Sequence, residues 1–131
     1  MVGIKDIEKI IISDLSSLMS VSSIYTEDDI PEGAVTEERI TVHSKELIPE
    51  TYFKKCFVEV NWCVPDLEDR PNSRRLDEVE AELVSFLDLA PVGVYGGQAY
   101  RYGINSHQIR KSELDCHYVN VRLLFEILNV K

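Results

Sequence analysis

Two long segments alternate apolar and polar side chains with a period of two, and no other feature of the chain constrains its fold as tightly. From Tyr52 to Val64, Cys56, Val58, Val60, Trp62 and Val64 share one side while Lys55, Glu59 and Asn61 share the other. Near the end, His117, Val119, Val121, Leu123, Phe125 and Ile127 alternate with Tyr118, Asn120, Arg122 and Glu126. Successive strand side chains point to opposite faces, so each segment predicts a strand buried on one face only. Trp62 is expected to anchor the core. A sheet that is apolar on one side must be covered, and the rest of the chain has to supply the cover.

Two helical patterns do so. Ile4, Ile7, Ile11, Leu15 and Leu18 recur at steps of three and four, predicting a helix from Ile4 to Met19 with Lys5, Glu8, Lys9 and Ser16 on its other faces. Ser20, Ser22 and Ser23 break the pattern, and Ile24-Tyr25 reads as a short extended piece. In the second helix Leu76, Val79, Leu83, Phe86 and Leu87 form the stripe, Ser73 is the expected N-cap, and Pro91 enforces the stop. Asp77, Glu78, Glu80 and Glu82 face water or favour the positive helix start. Each buried side chain on such a stripe contributes roughly 1.5 to 3 kcal/mol, so packing on a sheet must hold these helices.

The segment Thr26 to Glu38 carries six carboxylates and no cation, interrupted by Pro31 and Gly33, and predicts a solvated loop. From Arg39 to Pro49, Ile40 and Val42 oppose Thr41 and His43 as in a half-buried strand. Pro65, Asp66, Asp69, Pro71 and Asn72 make a turn-rich link. Between Pro91 and Leu114, glycines mixed with Val94, Tyr95, Tyr100 and Tyr102 suit a loose hairpin or a mobile loop. With no repeated βαβ unit, the expected architecture is a single α+β domain spanning residues 1–131, a mostly antiparallel β-sheet with two α-helices packed on one face.

A chain of 131 residues, 44% hydrophobic and 28% charged, has the size and mixture of one globular domain. Fourteen Lys and Arg against 23 Asp and Glu leave a net charge of −9, which repels phosphate and argues against nucleic-acid binding. No apolar run approaches the roughly 18 to 20 residues needed to cross a bilayer, so no membrane partner is expected. Met1 to Lys9 lacks a secretory signal, which predicts a cytoplasmic protein.

Cys56, Cys63 and Cys116 show no C-x-x-C spacing and fit a reducing compartment. A metal site of Cys63, Cys116, His117 and His43 lacks close-paired ligands, so neither metal nor cofactor is expected. Cys56 and Cys116 read as small apolar fillers. A nucleophilic site joining Cys63 or Cys116 to His43, His107 or His117 has no local signature, and a small enzyme of that kind is the alternative reading. Gly93-Val94-Tyr95-Gly96-Gly97 lacks the Lys-Ser/Thr ending of a phosphate cradle and reads as a flexible turn. The carboxylates of the second helix read as its solvated face.

The order of an amphipathic helix, an acidic loop, ERITVHSKE, YFKKCFVEVNWCVP, RRLDEVEAELVSFL and a final HYVNVRLLFEIL resembles the phage tail terminator and tail-completion family, including prophage members. The likeness covers nearly the whole chain. It lies in element order and in a strand followed directly by an R-x-x-D-E-V-E helix; the segment from Val92 to Tyr102 has no counterpart. The resemblance implies a non-enzymatic assembly protein with no catalytic residues. Such a protein forms a hexameric ring that caps the tail tube, stops its polymerisation and faces the head connector in the virion neck.

Two residue sets are candidates for that ring. Glu27, Asp28, Asp29 and Glu32 make a concentrated acidic surface suited to a lumen through which DNA passes without sticking. Tyr95, Tyr100 and Tyr102 join large apolar area to polar tips, which suits an interface between copies as well as it suits the end of a core.

Overall fold

A computed structural model describes residues 2–17, 23–89 and 92–128. Its elements run α1 (Ile4–Leu15), β1 (Ile24–Thr26), a single 3-10 turn (Glu27–Asp29), β2 (Arg39–Pro49), β3 (Phe53–Pro65), α2 (Ser73–Leu87), β4 (Val92–Tyr95), β5 (Gln98–Lys111) and β6 (Cys116–Leu128). The expected helical positions Leu18 and Met19, the breakers Ser20 and Ser22, and the stop at Pro91 lie outside the described residues.

The six strands form one curled sheet in the order β1-β2-β3-β6-β5-β4. Its centre is the pair of alternating segments: β3 lies antiparallel to β6 from Phe53 opposite Leu128 to Pro65 opposite Cys116. One expectation needs correction. The sheet is mixed, because β1 runs parallel to β2 with Ile24 beside Ile40. Parallel neighbours need a crossover of about a dozen residues, and the acidic segment supplies it. That segment is therefore not wholly solvated: Val35 is buried and its N–H donates to Leu114 O at 2.8 Å.

Both helices cover the same face. Ile7, Ile11 and Leu15 of α1 and Leu76, Val79, Leu83 and Leu87 of α2 join Ile40, Val42, Val58, Val60, Trp62, Val121, Leu123, Phe125 and Ile127 in one core. Glu8 departs from its expected outer face. It is buried, accepts from Ser44 Oγ at 2.8 Å, and lies 3.3 Å from Lys5 Nζ. The cap of α2 is Asn72 rather than Ser73, its Oδ1 accepting from Arg75 N at 3.3 Å.

The Gly/Tyr segment is an ordered hairpin. Gly96 and Gly97 take φ of +55° and +82°, the left-handed pair of a two-residue turn joining β4 to β5, so the phosphate-cradle idea gives way to turn geometry. Gly93 is needed for close approach, since a Cβ there would sit 2.5 Å from Tyr100 Oη.

Glu38 ties the crossover to the core. It accepts from Arg75 Nε at 2.7 Å, Arg75 Nη2 at 2.9 Å and Trp62 Nε1 at 3.0 Å. Burial alone raises its pKa, but the Arg75 and Trp62 hydrogen bonds and the Arg75 charge together hold it below the ordinary 4.5. A carboxylate depressed in this way stabilises the fold above its unfolded pKa, and that contribution is lost as pH falls through the lower folded value. Urea unfolding at stepped pH should show stability declining below about pH 4.5, with a shallower decline in Glu38→Gln. A variant curve parallel to the parent's would show that other groups carry the acid response.

Candidate functional site

Among the described residues no helix or strand layer covers most of the sheet face opposite the two helices. Out-of-phase positions of the strands meet there. Asn120 Nδ2 donates to Asn61 Oδ1 at 2.6 Å, and the Arg122 guanidinium stacks 4.0 Å from the Phe57 ring centroid. Lys45 pairs with Glu59 at 3.1 Å and Arg101 with Glu126 at 3.0 Å. This is a polar, pre-satisfied surface with aromatic and aliphatic patches.

Its lateral border is unfinished. β4 pairs with β5 only from Gln98 to Arg101, and among the described residues no strand lies on the side of β5 away from β6 from Tyr102 to Lys111. Ser112 N–H donates to Cys116 O at 2.9 Å, which sets the phase of the β5–β6 ladder. Arg110, Gln108 and Ser106 thus turn their backbone groups toward β6, while Lys111, Ile109 and His107 turn theirs outward. Every residue from Asn105 to Lys111 is exposed. An open row of donors and acceptors is a template for another strand.

The two predicted residue sets fall at opposite edges in the strand order. Glu27, Asp28 and Asp29 occupy the exposed 3-10 turn after β1, and Glu32 is exposed farther along the crossover. Tyr95, Tyr100 and Tyr102 lie on β4 and β5. The start of α1 and the residue before its N-cap touch both edges: Lys5 Nζ meets Asp28 Oδ2 at 2.6 Å, and Val2 N–H donates to Gln98 Oε1 at 2.7 Å. That salt link and the hydrogen bond with Lys5 hold the Asp28 carboxyl below its ordinary pKa.

The tyrosines are not equivalent. Tyr102 is 3% exposed, stacks 5.6 Å from Phe125 and donates to Asp14 Oδ2 at 2.5 Å, so it is a core residue with no surface to offer a neighbour. Burial foremost, then the Asp14 carboxylate, pushes its phenol well up. Tyr100 stacks 5.2 Å from Phe125 and is half-buried, as is Tyr95.

No family model and no curated protein matches the chain. A solved structure bearing no functional name does match, with TM-score 0.63 over 95% of this chain and 91% of its own at 14% identity. That likeness is one of fold alone.

At the end of the open face where the crossover returns, Val35, Cys63 and Cys116 form a second, smaller core with Tyr118 against it. Beside it lies a cavity of about 200 Å³ lined by Arg39, Thr41, His43, Asn61, Cys63, Ser112, Cys116 and others. All three cysteines are free. Cys63 and Cys116 pack together in this small core, where the contact with Cys116 and burial push the Cys63 thiol up.

The side-chain partners of the three histidines are oxygens. His43 Nε2 is 2.9 Å from Thr41 Oγ1, His107 Nδ1 is 3.3 Å from Glu80, and His117 Nδ1 is 2.7 Å from Asp66. No group of three His, Cys, Asp or Glu that could hold a metal occurs among the described residues, nor any helix long and apolar enough to cross a membrane. Sequence reasoning missed both the open edge of β5 and the burial of Arg39. The one available signal was that Cys63 falls out of phase with Trp62, on the polar side of β3.

Proposed function

We propose that the protein is a non-enzymatic virion assembly component of the tail terminator or head–tail junction type. In this reading it forms a homo-oligomeric, hexameric ring that caps the tail tube and contacts tube and connector proteins, made in the cytoplasm and resident in the virion neck. The observation that carries it is the unpaired edge of β5. An edge strand of this length is a liability in a lone protomer and an asset in a ring, where a head-to-tail contact repeated by rotation closes on itself. The element order supports the family, and the uncovered polar face of the sheet offers a wall for further partners. Glu27, Asp29 and Glu32, which have no ion-pair partner among the described residues, are the charges proposed to face DNA in the lumen.

The test is the oligomeric state. Parent protein should sediment as a concentration-dependent hexamer with a central hole by electron microscopy. Ile109→Pro removes one outward-facing N–H, is tolerated on an edge strand, and should leave circular dichroism unchanged while abolishing the ring. A parent that stays monomeric at high concentration and also fails to bind tail tubes would sink the proposal.

A second reading, a small enzyme acting on a small ligand through a Cys/His site, is favoured by one observation. Cys63, Cys116 and His43 line one cavity. Turnover of a small substrate by a stable monomer would support it.

A further inference from the structure

Arg39 is an unusual residue for the inside of a protein. It is 8% exposed, its Nε is fully buried without a hydrogen-bond partner, and no carboxylate forms a salt bridge with it among the described residues. Directly across the sheet Cys63 offers it only a thiol, which is a weak acceptor. A buried guanidinium without a counter-charge is costly, and the fold that retains it leaves an unmet need for an anion.

The room for that anion is the cavity of about 200 Å³ that Arg39 lines. Its floor is the polar side of neighbouring strands in register, with Arg39 beside Cys63 and Tyr118 in one row and Thr41 beside Asn61 in the next. One wall is the crossover, through Ile30 and Val35, and the other is the β5–β6 turn, through Ser112 and Leu114. The Val35 N–H bond to Leu114 O at 2.8 Å holds the two walls together. Among the described residues no Asp or Glu lines this space, in a chain that has 23 of them.

The neutral groups around it have hydrogens to give. Asn61 Oδ1 already accepts from Asn120 Nδ2 at 2.6 Å, which leaves the Asn61 amide N–H groups to donate. Ser112 Oγ accepts from Leu114 N at 3.1 Å, which leaves its O–H. His43 Nε2 lies 2.9 Å from Thr41 Oγ1, and with the imidazole donating, the Thr41 hydroxyl is left to donate in turn. One permanent cation and three neutral donors around a space without a carboxylate reverse the charge balance of the chain as a whole.

From this arrangement we infer that the cavity binds a small tetrahedral oxyanion of the phosphate class, with Arg39 as its counter-charge and Thr41, Asn61 and Ser112 as its hydrogen-bond donors. Size sets the class. Pockets for drug-sized ligands run from about 300 to 1,000 Å³, so this one suits an ion with a few waters. Shape favours a tetrahedral ion over a planar carboxylate, because the donors come from the β2–β3 floor and from the turn at its side. A net charge of −9 repels a polyanion, whereas a small ion is screened from charges beyond about 8 Å at physiological salt and feels chiefly Arg39. The ion is held without being turned over, and its binding is independent of ring formation.

The test is a titration of the isotope-labelled full chain with inorganic phosphate, in chloride buffer at constant ionic strength, followed by NMR. Saturable shifts are expected at the Arg39 Nε–H, the Asn61 side-chain amide and the Ser112 backbone amide, with acetate binding more weakly. Arg39→Gln should weaken phosphate binding about tenfold, because a hydrogen bond from a cation to an anion is the strong kind. Ser112→Ala, at a half-buried turn position, should weaken it about threefold. If Arg39→Gln does not fold, Ser112→Ala and the shift map of the parent decide. A short DNA duplex at matched phosphate concentration should leave these signals in place. Shifts that grow without saturating and spread over surface cations, unchanged binding in Ser112→Ala with an unmoved Arg39 signal, or movement of the site signals by DNA but not by free phosphate would overturn the inference.

Discussion

Trp62→Ala should cost about 3 to 5 kcal/mol in urea unfolding, the usual loss when a large buried aromatic is removed and its space only partly refills. Trp62 is fully buried near the C-terminal end of β3, between Val60 and Val64 on the helix-facing side. It is also the point where three parts of the molecule meet. Its Nε1–H donates to Glu38 on the crossover, and the Arg75 guanidinium of α2 lies 5.7 Å from its ring. Truncation therefore opens a cavity and loosens the carboxylate that holds the crossover to α2. Trp62→Phe keeps most of the volume while deleting the N–H, so it should fall between parent and Ala. A loss below about 1 kcal/mol for the Ala variant would show that the core does not close on this residue.

Phe125→Ala should be comparably damaging, about 3 to 5 kcal/mol. The ring is fully buried and stacked on two sides, by Tyr100 at 5.2 Å and Tyr102 at 5.6 Å. Each aromatic pair adds about 0.5 to 1.5 kcal/mol beyond area burial, so the neighbours lose support as well. Tyr100 in turn lies across Gly93, which makes Phe125 the base on which the β4–β5 hairpin rests. Amide exchange in β4 should accelerate in Phe125→Ala more than in β2. Equal acceleration in both strands would show that the hairpin is held by other contacts.

The long strands and both helices were legible in the sequence because each has one face that is apolar along its length, and a one-sided pattern has only one partner that satisfies it. Where that condition fails, the reading failed. The second half of β5, from Asn105 to Lys111, is exposed on both faces and carries a lone Ile109, so nothing in its composition marks it as extended. It is a strand because β6 pairs with it. β1 is three residues long, too short to declare a direction, and its parallel alignment emerges only from the path of the crossover.

Charge misled at Glu8. A carboxylate three residues from Lys5 reads as solvent-facing, and its burial depends on Ser44, thirty-six residues away in sequence. The candidate tyrosines were read as a cluster, yet the stacking on Phe125 divides them, with Tyr102 inside and Tyr95 and Tyr100 half-buried. The thiol cavity was invisible for a related reason. Cys63 and Cys116 meet through the register of two strands distant in the chain, and Arg39 looks like an ordinary strand-end cation until the crossover folds over it.

The ladder between β3 and β6 has a consequence for how the protein is made. Pro65 waits for Cys116 and Phe53 waits for Leu128, so the middle of the sheet cannot zip until β6 has been made. Throughout synthesis of α2 and the β4–β5 hairpin, β3 has only β2 on one side and presents an open, apolar-flanked edge on the other. Non-local pairings of this kind close slowly, and nascent chains on neighbouring ribosomes would carry identical open edges at the same moment. β6 is the strand that seals the sheet, so deleting even part of it removes one of the two central strands of the fold.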